Sequence, residues 1–583
     1  MYSDLTPPGN DRDRSPVPIS NASHASTLYD SALAEAVEKR ERDMSFKESI
    51  SADSRLILYS LGFSGTIIME GYGLAHITYL FSFATFNERF GTHDEVAGVY
   101  ELPYKWRVLL PLVAQLGSLL GILLASPLAA RFGCKNATLL MLGASTALVT
   151  MPFLASTVEF MMAGFFLQGI PWGVYQVVSP AYASEVASLQ LRPILTTWNN
   201  LCWVLGRLIA SGITKAFVNY AGDMSYRIPF ALQWLFSAAL LASISFTPES
   251  PFWYLQNGRI EEAALATRRL VRKGSPVRVA EKLALMHHTI CQEASQDPQD
   301  TAAGSEKPRR VRRWLGHLRL SCLKGTDLRR TEISSVAWLI QATCGSSLIP
   351  WAPKLFEMAG LPTSDALSIN IALPGAGVFG TLASWWLMRR AGSRTIYFWG
   401  LVVMAVLLAA CGGFHYLPVG AGWAAGGVLI VYTAVYDLTI GPVCYSVVSE
   451  LPSIRYRTTT LAIARGLYLL AGVANHVLTP KMLGTEETAW KWGARAGFLY
   501  GGVCLLGAIY TYWRLPETGG MSARELDILF QNKVSARRFS SKEASRLAAA
   551  GAAKALRVAN TFAASAGEIT PSSVYSVQES TNQ

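Results

Sequence analysis

Apolar residues run along this chain in blocks of about 20, the length at which an α-helix crosses a bilayer core of about 30 Å. Twelve blocks can be marked. They lie at 56–83, 107–129, 136–156, 158–181, 194–218 and 228–247, then at 332–355, 367–388, 395–413, 422–446, 458–480 and 494–513. In lipid a backbone must satisfy its own hydrogen bonds, as a helix or a closed barrel, and runs of this length without alternating polarity exclude the barrel. The pattern predicts an all-α membrane protein with twelve transmembrane helices. Composition changes the picture only by excluding the set of soluble domains that 583 residues would otherwise suggest: 51% of residues are hydrophobic and 16% charged, with a mean hydropathy of +0.26.

Between the blocks, short polar motifs return in the same order. RFGCK (Arg131–Lys135) follows block two and RAGSR (Arg390–Arg394) follows block eight. SEVASLQLR, with Glu185 and Arg192, follows block four; SELPSIRYR, with Glu450 and Arg457, follows block ten. PES, with Glu249, follows block six, and PET, with Glu517, follows block twelve. The three pairs are offset by about 260 to 270 residues, so the chain reads as two related six-helix halves. This parallel repeat resembles the plan of a major facilitator transporter, in which a polar path runs between the halves. The division that follows is a disordered cytoplasmic N-terminal tail at 1–55, a bundle at 56–248 and a cytoplasmic loop with amphipathic helices at 249–331. A second bundle at 332–514 and a cytoplasmic tail at 515–583 complete it. ESPFWYLQNGRIEEAALATRRL predicts one amphipathic helix starting after Pro251.

The formal net charge of +11 and the run PRRVRRW raise a nucleic-acid reading, but Lys and Arg concentrate in the tails and central loop. That is the positive-inside pattern with both termini cytoplasmic. The short hairpins carry similar numbers on either side, so the orientation rests on the tails and loop. We expect no nucleic-acid partner. The glycosylation matches at Asn21 and Asn136 would then be cytoplasmic. Eight cysteines are scattered, several inside blocks, as packing residues rather than a disulfide framework. No nucleophile elbow, Walker loop or clustered Cys/His spacing is present, and His287 with His288 sits in a polar loop. No enzyme, metal or cofactor is expected.

From Ile57 to Phe539 the chain resembles the sugar porters of the major facilitator superfamily, and among them the fungal α-glucoside (maltose-type) proton symporters. The resemblance is carried by IIMEGY (Ile67–Tyr72), GIPWGVYQ (Gly169–Gln176), LRPILTTWNNLCWVLG (Leu191–Gly206), PESPFWYLQNGRIEEA (Pro248–Ala263), YDLTIGPVCYSVVSELPS (Tyr436–Ser453) and LPETGGMSARELDILF (Leu515–Phe530). It implies a sugar-like solute, alternating access and protons as the coupling ion. Four positions depart from it. Gly73 stands where the family continues with Asp, Ser118 where it often has Glu, Arg207 where many members have Gln, and Ala130 where an acidic residue usually precedes Arg131.

A charge at bilayer depth is costly and marks a pathway or a pair. Glu70, Arg207, Asp437 and Arg465 are such charges. Glu70 is either a proton carrier, with Asp437 second and Arg465 tuning both, or a fixed partner for Arg465 or Arg207. Arg207 contacts an anionic solute, pairs with Asp437 or Glu70, or snorkels to a helix end. A sugar site wants amide forks and flat aromatic faces, offered here by Gln168, Trp172, Asn199, Asn200, Gln341, Trp351, Tyr436, Tyr445 and Tyr468. By resemblance Asn200, Gln341 and Tyr445 fall near sugar-contacting positions, and Ser347 replaces a common Asn. Arg131, Glu185, Arg192, Glu249, Arg390, Arg394, Glu450, Arg457 and Glu517 would gate the inner face. The expected protein is a monomeric plasma-membrane carrier for a small polar solute embedded in a lipid bilayer. A carrier for an anionic or glycosylated metabolite and a non-transporting nutrient receptor are the alternatives.

Overall fold

The computed structural model describes residues 37, 40, 44–94, 99–188, 191–271, 276–295, 323–352, 363–416, 421–453, 457–483, 490, 492–519, 521 and 523–550. Each apolar block is helical there over most of its length, except that the block at 332–355 leaves its helix after Thr343. The first half contains α2 (Ser54–Tyr79), α3 (Tyr104–Leu148), α4 (Val158–Val186), α5 (Arg192–Phe217) and α6 (Met224–Phe246), with α1 (Phe46–Ala52) ahead of them. α3 carries two traverses, broken at Gly133, whose φ of 85° is open to glycine and strained for other residues. A small antiparallel pair, β1 (Thr92–Asp94) and β2 (Val99–Glu101), lies in the loop after α2.

α7 (Pro251–Gln256), α8 (Ile260–Leu270) and α9 (Pro276–Ser295) follow the first half. The second half holds α10 (Gly325–Thr343), α11 (Thr363–Met388), α12 (Ser393–Gly413), α13 (Ala421–Leu438), α14 (Ile440–Glu450), α15 (Arg457–Leu483) and α16 (Ala496–Arg514), then α17 (Ala523–Gln531). α13 and α14 are one traverse interrupted at Thr439, so each half has six.

Each half has its own apolar core. Phe63, Phe165, Tyr182 and Phe230 belong to the first and Leu401, Met404, Tyr432 and Val447 to the second. Glycines set the closest crossings. Gly117 and Gly121 of α3 meet Gly169 and Gly173 of α4, where an added Cβ would strike main-chain carbonyls of the facing helix. Gly71 of α2 and Gly206 of α5 repeat the device against the carbonyls of Trp203 and Ile68. On the outside, Leu235, Phe379, Trp399, Val406 and Leu506 are each more than half exposed, a surface suited to lipid and costly in water.

Two expectations need correction. The disordered tail does not reach residue 55: Ser45 and Glu48 form a reciprocal capping box that starts α1, and Asp53 is paired with Lys282 of α9 at 2.8 Å. The amphipathic segment after Pro251 is two helices, α7 and α8, because Gly258 turns the chain at a φ of 72°. The helices outside the membrane hold their own halves: Trp253 of α7 donates to the Ala130 carbonyl at 3.0 Å, and Asp527 of α17 pairs with Arg330 at 2.6 Å. Asn21, the PRRVRRW run and residues 551–583 lie outside the described residues.

Candidate functional site

A cavity lies between the halves, about 1170 Å³ when the open solvent at its mouth is counted. α2 supplies Tyr79, α3 supplies Gln115, and α5 supplies Asn200, Trp203 and Arg207. From the other half come Gln341 of α10, Ser347 and Trp351 after it, Tyr436 and Asp437 of α13, Tyr445 of α14, and Arg465, Tyr468, Asn475 and His476 of α15. α5 and α15 begin on the face that bears the repeated motifs, and the cavity starts eight residues into each. Arg207 is fifteen residues along α5, about 22 Å from its start. The space therefore extends from mid-depth toward the face opposite the motifs.

Nearer the motif-bearing face the halves touch. Trp385 Nε1 donates to Thr197 Oγ1 at 3.0 Å, and its ring stacks on Trp198 with centroids 5.9 Å apart. At the cavity floor Asn200 Nδ2 donates to Asp437 Oδ1 at 3.0 Å and to Thr381 Oγ1 at 3.2 Å. These contacts join α5 to α11 and α13.

A second link crosses behind the cavity. Gln176 of α4 donates to Glu70 Oε1 at 2.7 Å and accepts from Arg465 Nε at 2.6 Å. Glu70 and Arg465 are thus bridged by an amide that uses both ends of its fork. The other Glu70 oxygen, buried, has no hydrogen-bond partner among the described residues. The Arg465 guanidinium lies 4.4 Å over Trp338 and 4.2 Å over Tyr468. Nothing in the sequence distinguished Gln176 from other polar residues of α4, since its partners lie 106 and 289 positions away.

Arg207 is 5% exposed and stands over Trp203, 5.2 Å from the ring centroid, beside the Tyr79 hydroxyl. It forms no ion pair among the described residues, neither with Asp437 nor with Glu70. Asp437 nevertheless lies within its electrostatic reach.

The expected solute contacts divide. Asn200, Arg207, Gln341, Ser347, Trp351, Tyr436, Tyr445 and Tyr468 line the cavity. Gln341 also donates to the Gly441 carbonyl at 3.2 Å, and Ser347 to the Tyr500 hydroxyl at 3.0 Å. Gln168, Trp172 and Asn199 are absent from the lining, because helix rotation turns them into the first half. Gln168 donates to Gln233, Asn199 accepts from Ser179, and Trp172 is buried against Gly73. Of the three expected proton groups, Asp437 and Arg465 line the cavity and Glu70 sits behind it. Tyr79, Gln115, Trp203, Asn475 and His476 line it without having been singled out in the sequence.

Positions 73 and 118, the two lost carboxylates, pack against consecutive residues of α4. A Cβ at Gly73 would meet the Trp172 indole, and Ser118 is buried at the crossing with Gly173, its hydroxyl donating to Ala114. The Glu70–Gln176 contact lies one helical turn from that of Gly73 with Trp172, on the same pair of helices.

The motif charges are not one gate. Both carboxylate oxygens of Glu249 accept from the one backbone N–H of Lys135, at 3.0 and 3.1 Å, at the start of the helix that resumes after Gly133. Those of Glu517 accept from the backbone N–H groups of Ser393 at 2.8 Å and Arg394 at 3.3 Å, at the start of α12. Both are anions on helix N-termini within their own half. Burial raises the Glu249 carboxyl above its usual 4.5, against the pull of those N–H groups. Glu185 accepts from Ser250, also within the first half. Arg131 and Arg390 are exposed and lie over Phe132 and Trp386, and Arg394 donates to the Tyr512 carbonyl. Arg192 and Glu450 interact electrostatically across the halves. The Arg457 side chain lies outside the described residues.

The profile of the family described as "Sugar (and other) transporter" matches residues 61–530. Maltose permease MAL31 of Saccharomyces cerevisiae is 33% identical over 548 residues, 92% of this chain and 86% of that protein. The general alpha-glucoside permease of the same yeast is 32% identical over 515 residues, 87% of this chain and 80% of that one. Among solved structures, the proton:xylose symporter XylE bound to 6-bromo-6-deoxy-D-glucose has a TM-score of 0.67 at 19% identity, covering 82% of this chain and 99% of its own. A partially occluded inward-open form of XylE from E. coli has a TM-score of 0.61 at 17% identity, covering 80% and 99%. The chain is a multi-pass membrane protein of the sugar (and other) transporter family, built on the major facilitator fold.

Proposed function

We propose that the protein is a proton-coupled secondary transporter of a glycoside of the α-glucoside class, acting as a monomer in the plasma membrane with both termini cytoplasmic. One observation carries the reading: a cavity between the halves combines amide forks with flat aromatic faces and is backed by a buried carboxylate bridged to an arginine of the other half. Sugars present hydroxyls along an edge and C–H groups on a face, so Asn200 and Gln341 suit the first and Trp351, Tyr445 and Tyr468 the second.

With the motif-bearing face cytoplasmic, the cavity faces outward. Solute then enters from outside, while Trp385, Thr197 and Trp198 hold the inner side shut. A proton on Glu70 removes the charge that Gln176 connects to Arg465 and weakens the bridge between α4 and α15. Solute and proton together favour the rearranged state, in which the inner contacts part and the outer helix ends approach. The solute crosses chemically unaltered.

Uptake of radiolabelled maltose and other α-glucosides into energised membrane vesicles tests this. The expected result is accumulation that collapses with the proton gradient, with counterflow persisting without it. Glu70→Gln should keep counterflow and lose accumulation. Binding without any counterflow would overturn the proposal in favour of a receptor.

A further inference from the structure

We propose that Arg207 is a specificity-determining residue that reads a carboxylate on the transported glycoside, so that the solute is an acidic sugar and its cotransport with one proton is electroneutral. The inference rests on the sugar-transport reading above and adds the charge of the solute to it.

The other charges around the cavity have partners. Arg465 reaches Glu70 through Gln176 and lies against the rings of both Trp338 and Tyr468. Asp437 is held by the Asn200 amide, which is anchored on Thr381. Arg207 has a ring beneath it and the Tyr79 hydroxyl beside it, and no carboxylate in ion-pair contact among the described residues. A guanidinium 5% exposed, in the wall of a cavity, is an incomplete site: its planar fork carries five donors and matches a carboxylate with two parallel bonds. Neutral hydroxyls fill that fork poorly.

Arg207 also sits well placed for an end-on contact. It is seven residues, about 10 Å, farther along α5 than Asn200. One side chain can therefore hold the hydroxyls of one ring while the other holds an acidic group beyond it. Of the remaining groups near Arg207, Asn370 and Trp203 are neutral, His476 is a base, and Asp437 is an acid. An ionised Asp437 would repel an anionic solute, and a proton bound there or at Glu70 removes one negative charge from the region. The cycle then balances: one proton and one carboxylate enter from outside, both leave inside, and no net charge crosses.

The test uses the full-length protein reconstituted in proteoliposomes, with matched radiolabelled pairs: glucose and glucuronate, maltose and the analogue carrying a carboxylate at C6 of its non-reducing ring. Wild type should take up the acidic member of a pair with a KM on the order of 10- to 100-fold lower, the range of a charge-assisted hydrogen-bond pair. Arg207→Gln should lose that preference and Arg207→Lys keep part of it. Uptake of the acid by wild type should follow the pH gradient and ignore a potassium-diffusion potential set with valinomycin. This last readout needs no variant and so survives if a substitution fails to fold. A wild type that prefers the neutral member, or whose acid uptake responds to the potential, overturns the proposal and leaves sugar transport standing. Absence of counterflow for every glycoside overturns the transport reading, and this one with it.

Discussion

Gly73 and Trp172 offer the sharpest check on how the first half is packed. A Cβ built at position 73 would lie 2.7 Å from Cη2 and 3.1 Å from Cε2 of Trp172, and closer still to Cζ2. The indole is 1% exposed and cannot swing aside without moving the core of α4. Gly73→Ala should therefore cost about 1–3 kcal/mol of overpacking. Gly73→Asp adds a carboxylate with no cation beside it, at several kcal/mol more, against a total stability on the order of 5–15 kcal/mol. Trp172→Leu alone opens a cavity and destabilises by roughly 2–4 kcal/mol. In the double variant Gly73→Ala/Trp172→Leu the new methyl occupies part of that space, so the two effects should fall short of additive by at least ~1 kcal/mol. The assay is thermal unfolding of the purified protein in detergent, at on the order of 2 °C per kcal/mol. Gly73→Ala melting with wild type, or a double variant equal to the sum of the singles within ~0.5 kcal/mol, would show that the indole does not fill the place argued for it. Restoring Asp at 73 should not restore or enhance proton coupling, since the site is packed shut.

Gln176→Leu removes both bonds of the Glu70–Arg465 bridge; glycoside counterflow should survive while accumulation driven by a pH gradient falls at least about tenfold, for a loss of 1.5 kcal/mol or more of charge-assisted bonding, read in vesicles. Thr197→Val with Trp385→Phe removes the hydrogen bond that closes the inner face, and a cysteine placed beside it should react faster with a thiol reagent from the motif-bearing side; an unchanged rate would refute that closure. For Glu249, the folded carboxyl titrates above the unfolded value of 4.5, so the folded state binds its proton more tightly. Stability from this group is full below about pH 4.5 and falls as pH rises through the folded value. Melting temperatures measured from pH 4 to 8 should show Glu249→Gln losing that slope and gaining on wild type toward neutral pH.

The blocks, the halves and the polar face of the cavity could be read from the chain because each depends on local quantities: apolar length, motif order and residue type. The break at Gly258 was equally local, marked by Asn257-Gly258, and so was the start of α1, where Ser45 and Glu48 have capping-box spacing. Rotation about a helix axis was not local. Asn199 and Asn200 differ by 100° on α5, which sends one to Ser179 inside the first half and the other across to Asp437. The same geometry hides Gln168 and Trp172 while exposing Trp203 and Arg207. Charge pairing was harder still: the repeat of PES as PET made Glu249 and Glu517 look like gate residues, yet both cap helices whose N-termini are brought to them by the hairpins after Arg131 and Arg390.

Among the described residues, few hydrogen bonds cross the halves at, behind or below the cavity floor, Lys215 to Ser368 lying elsewhere on α5, and that bears on mechanism. Trp385 to Thr197, Asn200 to Asp437 and to Thr381, and Gln176 to Arg465 are four hydrogen bonds, each with a net value of about 1 kcal/mol, more where a charge takes part. Stacking of Trp198 on Trp385 adds about 1 kcal/mol. The closed inner face is thus held by an amount comparable with the ~4 kcal/mol of a solute bound at millimolar affinity. A ligand moves an equilibrium only by its preference for one state over the other, so no solute could open a seal much stronger than its own binding energy. Glu70 and Asp437 are joined to these same contacts, one through Gln176 and the other through Asn200. On the proposed mechanism, protonating Asp437 weakens the cross-half bond from Asn200 directly, while protonating Glu70 acts on the Gln176–Arg465 bond at one remove, through Gln176. Proton and solute therefore act on one set of contacts, which is the physical requirement for coupling their passage.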